Sequence, residues 1–185
     1  MDIVFLDLEF SKRKKNVRRY PFEIIEVGYI VTDMVGNIKE EYAQLIRVED
    51  IRRLDERVLN LVGLEKQHFL YYGVHFNNFL YRLKNVVDKG CYFITWGDLD
   101  KKVLFDNFKM RNIEFDKLFE SLFFDAQKAY MDINGLSDRP GLKKVAKNTA
   151  LDSLKGHRAI YDCYKTLEIC KSLGIHNVLS NNFKV

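Results

Sequence analysis

The stretch VFLDLEF, residues 4–10, limits the fold of this chain more than any other. Along an extended backbone, Ile3, Phe5, Asp7 and Glu9 project from one face, and Val4, Leu6, Leu8 and Phe10 from the other. Both faces begin apolar, as in a central strand, and one of them ends in two carboxylates. A strand of this kind opens its C-terminal end into a crevice, where two like charges repel unless a cation joins them. Magnesium or manganese suits such hard oxygen ligands. The plain alternative is a strand end whose Asp and Glu are solvated, and D-x-E is too short a signal to decide between the two.

The flanking sequence supplies the rest of a mixed sheet. IVFLDLEF is followed by EIIEVGYIVTD, a reversal at MVGN and the alternating IKEEYAQLIRV, which predict three antiparallel strands. Helical spacing then takes over, with a short helix near Leu54 to Leu61, a break at Gly63, and VHFNNFLYRLKNVVD ending before Gly90. CYFITW reads as a buried fourth strand, LDKKVLFDNFKM as a helix, and LFESLFFD as the place of a fifth strand. GLKKVAKNTAL and HRAIYDCYKTLEICKSLGI read as two closing helices. Strands first, then helices and strands in alternation, predict an α/β fold with a five-stranded sheet covered by helices on both faces.

With 185 residues, 47% of them hydrophobic, the chain is expected to form one domain over residues 1–175, followed by a short appendage over 176–185. No stretch approaches the run of apolar residues that a membrane helix needs, and the N-terminus begins as a strand rather than a signal, so a cytoplasmic location is expected. Cys91, Cys163 and Cys170 lack metal-ligand spacing and lie in apolar segments, which predicts buried thiols. A net charge of +4 is ordinary, but six basic residues crowd the eight positions from Lys12 to Arg19. Directly after the paired carboxylates, that run is either a phosphate contact or a solvated loop.

Two further segments carry candidate chemistry. In GHRAIYDCYKT, helical spacing puts Asp162 at the border of the apolar row Ile160, Cys163, Leu167 and Cys170, where an unpaired carboxylate is costly and a metal ligand is intelligible. His157 precedes that helix and offers either a general base for water or simple packing. In TWGDLDKKVL, Asp98 reads as a helix N-cap, and Asp100, in the first turn, is the better candidate to face the crevice. Trp96 at the end of the fourth strand reads as core, and Asp125 at the end of LFFD as a turn residue.

Taken in order, LDLEF, GDLDKKVL and HRAIYD resemble the motifs of the DEDDh, or DnaQ-like, 3′-to-5′ exonucleases, with H-x-A-x-x-D the most specific. PFEIIEVGYIV is similar to that family's second strand, and LNLVGLEKQHF to its L-T-G-I segment with Val62 in place of threonine. EIIEVG, TWG and FFDAQKAY look most similar to the Eri-type and KapD-like branch. The glycine usual before the last loop is missing from KNTALDSLKGH until Gly156.

The resemblance implies an RNase H-like fold with Asp7, Glu9, Asp100 and Asp162 holding two divalent cations, Mg2+ or Mn2+, about 4 Å apart around a scissile phosphate. It implies His157 as general base, a single-stranded RNA or DNA 3′ end as substrate with RNA favoured, and nucleoside 5′-monophosphates as products. Phe10 either wedges against the terminal base or packs in the core, and Ser11 is expected to contact the sugar. Two other readings compete. A non-catalytic nucleic-acid- or protein-binding regulator on the same fold would not need an intact ligand set, and an RNase H-like endonuclease would not need His157 at its spacing from Asp162.

Overall fold

The computed structural model describes residues 1–12, 20–147 and 157–182. Among these, the strands are β1 (Asp2–Lys12), β2 (Phe22–Thr32), β3 (Ile38–Leu45), β4 (Cys91–Thr95) and β5 (Phe123–Asp125). The α-helices are α1 (Glu56–Val62), α2 (Lys66–Tyr71), α3 (Phe76–Asp88), α4 (Leu99–Met110), α5 (Lys117–Ser121), α6 (Ala126–Ile133), α7 (Leu142–Ala146), α8 (Ala159–Leu173) and α9 (Ile175–Asn182). The strand order is β3-β2-β1-β4-β5. The first three strands are antiparallel neighbours, and β4 and β5 continue the sheet in parallel. This is the mixed five-stranded α/β sheet expected from the alternation of patterns.

β1 lies at the centre, and its two faces bury different helices. Val4, Leu6 and Leu8 join Phe76, Phe79 and Leu83 of α3 and Val103, Leu104 and Phe108 of α4. Ile3 and Phe5 join Cys163, Leu167 and Cys170 of α8, Ala126 and Ala129 of α6, and Val178 and Leu179 of α9. The segment expected as an appendage is thus largely α9, seated in this second core, and Asn182 Oδ1 accepts from the Asp125 backbone N–H at 3.2 Å. All three cysteines are buried free thiols. No helix among the described residues is long and apolar enough to cross a membrane.

α4 is held to β2 by a buried amide. Asn107 Oδ1 accepts from Ile24 N at 3.2 Å, and its Nδ2 donates to Phe22 O at 3.1 Å. The β1–β2 register slips past Glu9, because Glu9 faces Glu26 whereas Phe10 faces Ile24, leaving Ile25 as an extra residue on β2. Such a bulge re-aims the strand end next to a site. The short α2, α5, α6 and α9 were not anticipated, α5 taking the first half of LFESLFFD, and α1 starts at its Asp55 cap, whose side chain accepts from Arg57 N. Of the basic run, residues 13–19 lie outside the described residues, as do residues 148–156 with Gly156.

α8 crosses the sheet at Gly28. A Cβ at that position would stand 2.8 Å from Ile160 Cα and closer still to the Ile160 nitrogen, both backbone atoms that cannot swing aside. Gly28 O also accepts from the Cys163 thiol at 3.2 Å. Gly28→Ala is therefore expected to lift the start of α8 and cost about 1–3 kcal/mol. Denaturant unfolding measures that loss, and an unchanged midpoint would show that α8 does not depend on the close approach.

Candidate active site

The carboxylates meet at the C-terminal end of β1. The parallel ladder between β1 and β4 ends at the Phe5–Ile94 pair, so the backbone of β1 beyond it has no strand neighbour on that side. α4 leaves β4 at this point. Asp100, 8% exposed, reaches across so that its Oδ1 accepts from Leu8 N at 3.1 Å. The hydrogen bond fixes Asp100 beside the residue that separates Asp7 from Glu9. Asp98 occupies the N-cap position of α4 but makes no capping hydrogen bond, and it is exposed. Asp100 is the residue that the helix turns toward the site.

α8 brings the remaining groups. Ligand atoms of Glu9, His157 and Asp162 all lie within 4.8 Å of one another. Asp7 and Asp100 stand close enough to Glu9 and Asp162 for their charges to act on one another, so carboxylates from three distant segments share one neighbourhood.

Its electrostatics follow from crowding like charges in a desolvated place. Burial pushes the Asp7 carboxyl well above the usual range, and Asp100, Asp162, Glu9 and Glu26 push it further. Burial, with Asp162, Glu26 and Asp100 nearby, raises Glu9 to about 8. Burial raises Asp100 to about 7 against the opposing pull of its Leu8 hydrogen bond. Four hard carboxylates that repel one another, with an imidazole alongside, match the donor chemistry of a divalent cation site. Asp7, Glu9, Asp100 and Asp162 would hold such an ion.

Glu26 and Arg158 are site residues that the sequence reading missed. Glu26, 1% exposed, stands opposite Glu9 on β2. The Arg158 Nε donates to Glu26 Oε1 at 2.8 Å and to Oε2 at 3.1 Å, and the Ala159 backbone N–H also donates to Glu26. Glu26 thereby caps α8 from the neighbouring strand and pins the segment carrying His157. The signal for it was present: a lone carboxylate inside the apolar run IIEVGYIV is the same anomaly as DLE on β1.

Phe10 is partly buried, with its ring 5.0 Å from that of Phe22 and against the α3–α4 core. Ser11 is buried, and its Oγ accepts from Asp55 N at 3.1 Å, tying β1 to the start of α1. Trp96 donates to Pro140 O at 3.1 Å and packs on Tyr130. Asp125 caps α6 through Lys128 N, accepts from Gly97 N at 3.1 Å and pairs with Arg139. It braces the turn that leads to Asp100.

The family model described as Exonuclease matches residues 4–170. The chain belongs to the exonuclease family. It is 26% identical over 174 residues to the probable 3′-5′ exonuclease KapD of Bacillus subtilis (strain 168), covering 91% of this chain and 82% of that protein. Its fold matches that of the nuclease domain of 3′hExo, a DEDDh family member bound to rAMP, with a TM-score of 0.75 at 16% identity over 96% of this chain and 93% of that one. Escherichia coli exonuclease I in complex with a dA16 oligonucleotide matches with a TM-score of 0.75 at 13% identity, over 98% of this chain and 41% of that one. The resemblance to DEDDh 3′-to-5′ exonucleases is borne out. The protein is an exonuclease hydrolase.

The raised carboxylates set a pH dependence for the metal-free protein. Between the ordinary carboxylate range and about pH 8, the folded cluster keeps protons that the unfolded chain has lost. Raising the pH through that window therefore destabilises the fold. In chelator, the melting temperature is expected to be higher at pH 5.5 than at pH 8, and thermal unfolding at the two pH values checks the sign.

Proposed function

We propose that this protein trims single-stranded nucleic acid from its 3′ end, RNA in preference to DNA, and releases nucleoside 5′-monophosphates. The observation that carries the reading is the convergence of Glu9, His157 and Asp162 within 4.8 Å, beside Asp7 and Asp100. Two divalent cations, Mg2+ or Mn2+, supply charge stabilisation for the attacking and departing oxygens when bound.

The chain's own residues do the rest. Asp7, Glu9, Asp100 and Asp162 provide the anionic cradle, and Asp100 is kept in place by the Leu8 N–H. His157 takes the proton from the attacking water, held at the start of α8 by the Glu26 contacts to Arg158 and Ala159. Phe10 stands next to Glu9, where an aromatic face can meet the terminal base, whereas Ser11, buried with its Oγ accepting from Asp55 N, ties β1 to the start of α1.

Arg158 also lines a cavity of 270 Å³ with Gln44, Leu64, His68 and Tyr72. An imidazole and a phenol ring stacked at 6.3 Å, with a guanidinium beside them, suit a base and its phosphate one step back from the 3′ end. The preference for RNA is supported by the branch resembled and by a fold neighbour, a 3′-exonuclease with 3′-end-specific recognition of the histone mRNA stem-loop.

With a 5′-labelled single-stranded oligonucleotide and Mg2+ or Mn2+, the expected product is a ladder of shortened fragments, faster for RNA than for DNA of the same sequence. His157→Ala is expected to lower the rate by about 10²–10⁴-fold, and Asp7→Asn to abolish most turnover, with both proteins folded by circular dichroism. A protein that binds the oligonucleotide yet leaves its length unchanged with either metal would instead be a regulator on this fold.

A further inference from the structure

One charged residue beside the carboxylates has no part in the mechanism above. Lys165 is 8% exposed, and its Nζ lies 2.7 Å from Asp162 Oδ1. An i,i+3 pair on an exposed helix surface contributes little. Here the side chains are only 10% and 16% exposed, and the acid belongs to a cluster of four. A lysine is seldom buried, because its ammonium group loses water, so its position needs a compensating field. The mutually repelling Asp7, Glu9, Asp100 and Asp162 supply one. Among the described residues, Lys165 is the only lysine or arginine in ion-pair contact with any of the four.

We propose that Lys165 is a resident monovalent cation of the active site, neutralising part of the carboxylate cluster and thereby weakening its hold on divalent ions. The inference rests on the reading that these carboxylates bind such ions. Asp162 Oδ1 is engaged by the ammonium group, which leaves its other oxygen for a metal. The positive charge a few ångströms away then opposes metal entry by direct repulsion. Lys165 is a positioning residue in this account, acting through Asp162, and it sets the metal concentration at which the site fills.

The test is calorimetric titration of Mn2+ into the metal-free full chain, comparing wild type with Lys165→Gln, Lys165→Met and Lys165→Arg. Gln sheds the charge and keeps a donor for Asp162, Met sheds both, and Arg keeps the charge. The neutral variants are expected to bind Mn2+ about tenfold more tightly, and the Arg variant to bind as wild type does. Lys165→Gln also separates charge from a merely structural tether, because it can preserve the hydrogen bond. A Gln variant that is unfolded without metal and folds on adding Mn2+ supports the inference, and one that stays unfolded contradicts it. Neutral variants that bind Mn2+ no more tightly than a wild type that does bind it overturn this inference alone. If wild type and variants alike take up no Mn2+, the divalent-ion reading fails and this inference with it.

Discussion

Repulsion among buried carboxylates is the constraint around which this structure is arranged. Asp7, Glu9, Asp100 and Asp162 are held close enough that each raises Asp7 or is raised by its neighbours, in a largely desolvated crevice where water screens them poorly. Left alone, such a cluster would open or take up protons. The surrounding fold prevents the first by tying every contributing segment to a rigid neighbour. β1 is the central strand, α4 is pinned by Asn107 and by the Leu8 N–H, and α8 is seated against Gly28. Strain against repulsion at one strand end is thus supported by two apolar cores on opposite faces of the sheet.

Compensating charge is placed with equal economy. Glu26 adds to the repulsion on Asp7 and Glu9, but its own charge is compensated: it accepts from Arg158 and from the Ala159 backbone and so fixes the start of α8. The same contacts set the approach of His157 to Glu9 and Asp162. Lys165 meets Asp162 from within the helix itself. Cations thus reach this region from two places, Arg158 at Glu26 beside the histidine segment and Lys165 at Asp162, and the electrostatic balance of the site is distributed along the start and body of α8.

Much of this was legible before any coordinates. β1, β2, α3 and the body of α8 show a clear period, and a carboxylate that interrupts an apolar period marks a site because burial without a partner is costly. Asp100 could be preferred to Asp98 because only a residue past the cap turns inward. The short helices were illegible for a physical reason. α2 and α6 have too few turns for a stripe to emerge, and the asparagine-rich IHNVLSNN of α9 shows its apolar face only once Ile175, Val178 and Leu179 join the core with α6, α8 and β5. Partnerships spanning long sequence distances were hidden as well. Nothing local connects Glu26 to Arg158, or Ser11 to the backbone of Asp55.

The central claim is that these side chains form one ligand sphere. Anomalous diffraction from crystals soaked in Mn2+ tests it most directly. The account predicts manganese peaks in contact with Asp7, Glu9 and Asp162, with Asp100 beside them. Peaks confined to other surfaces, with the four carboxylates left without metal at saturating Mn2+, would contradict it.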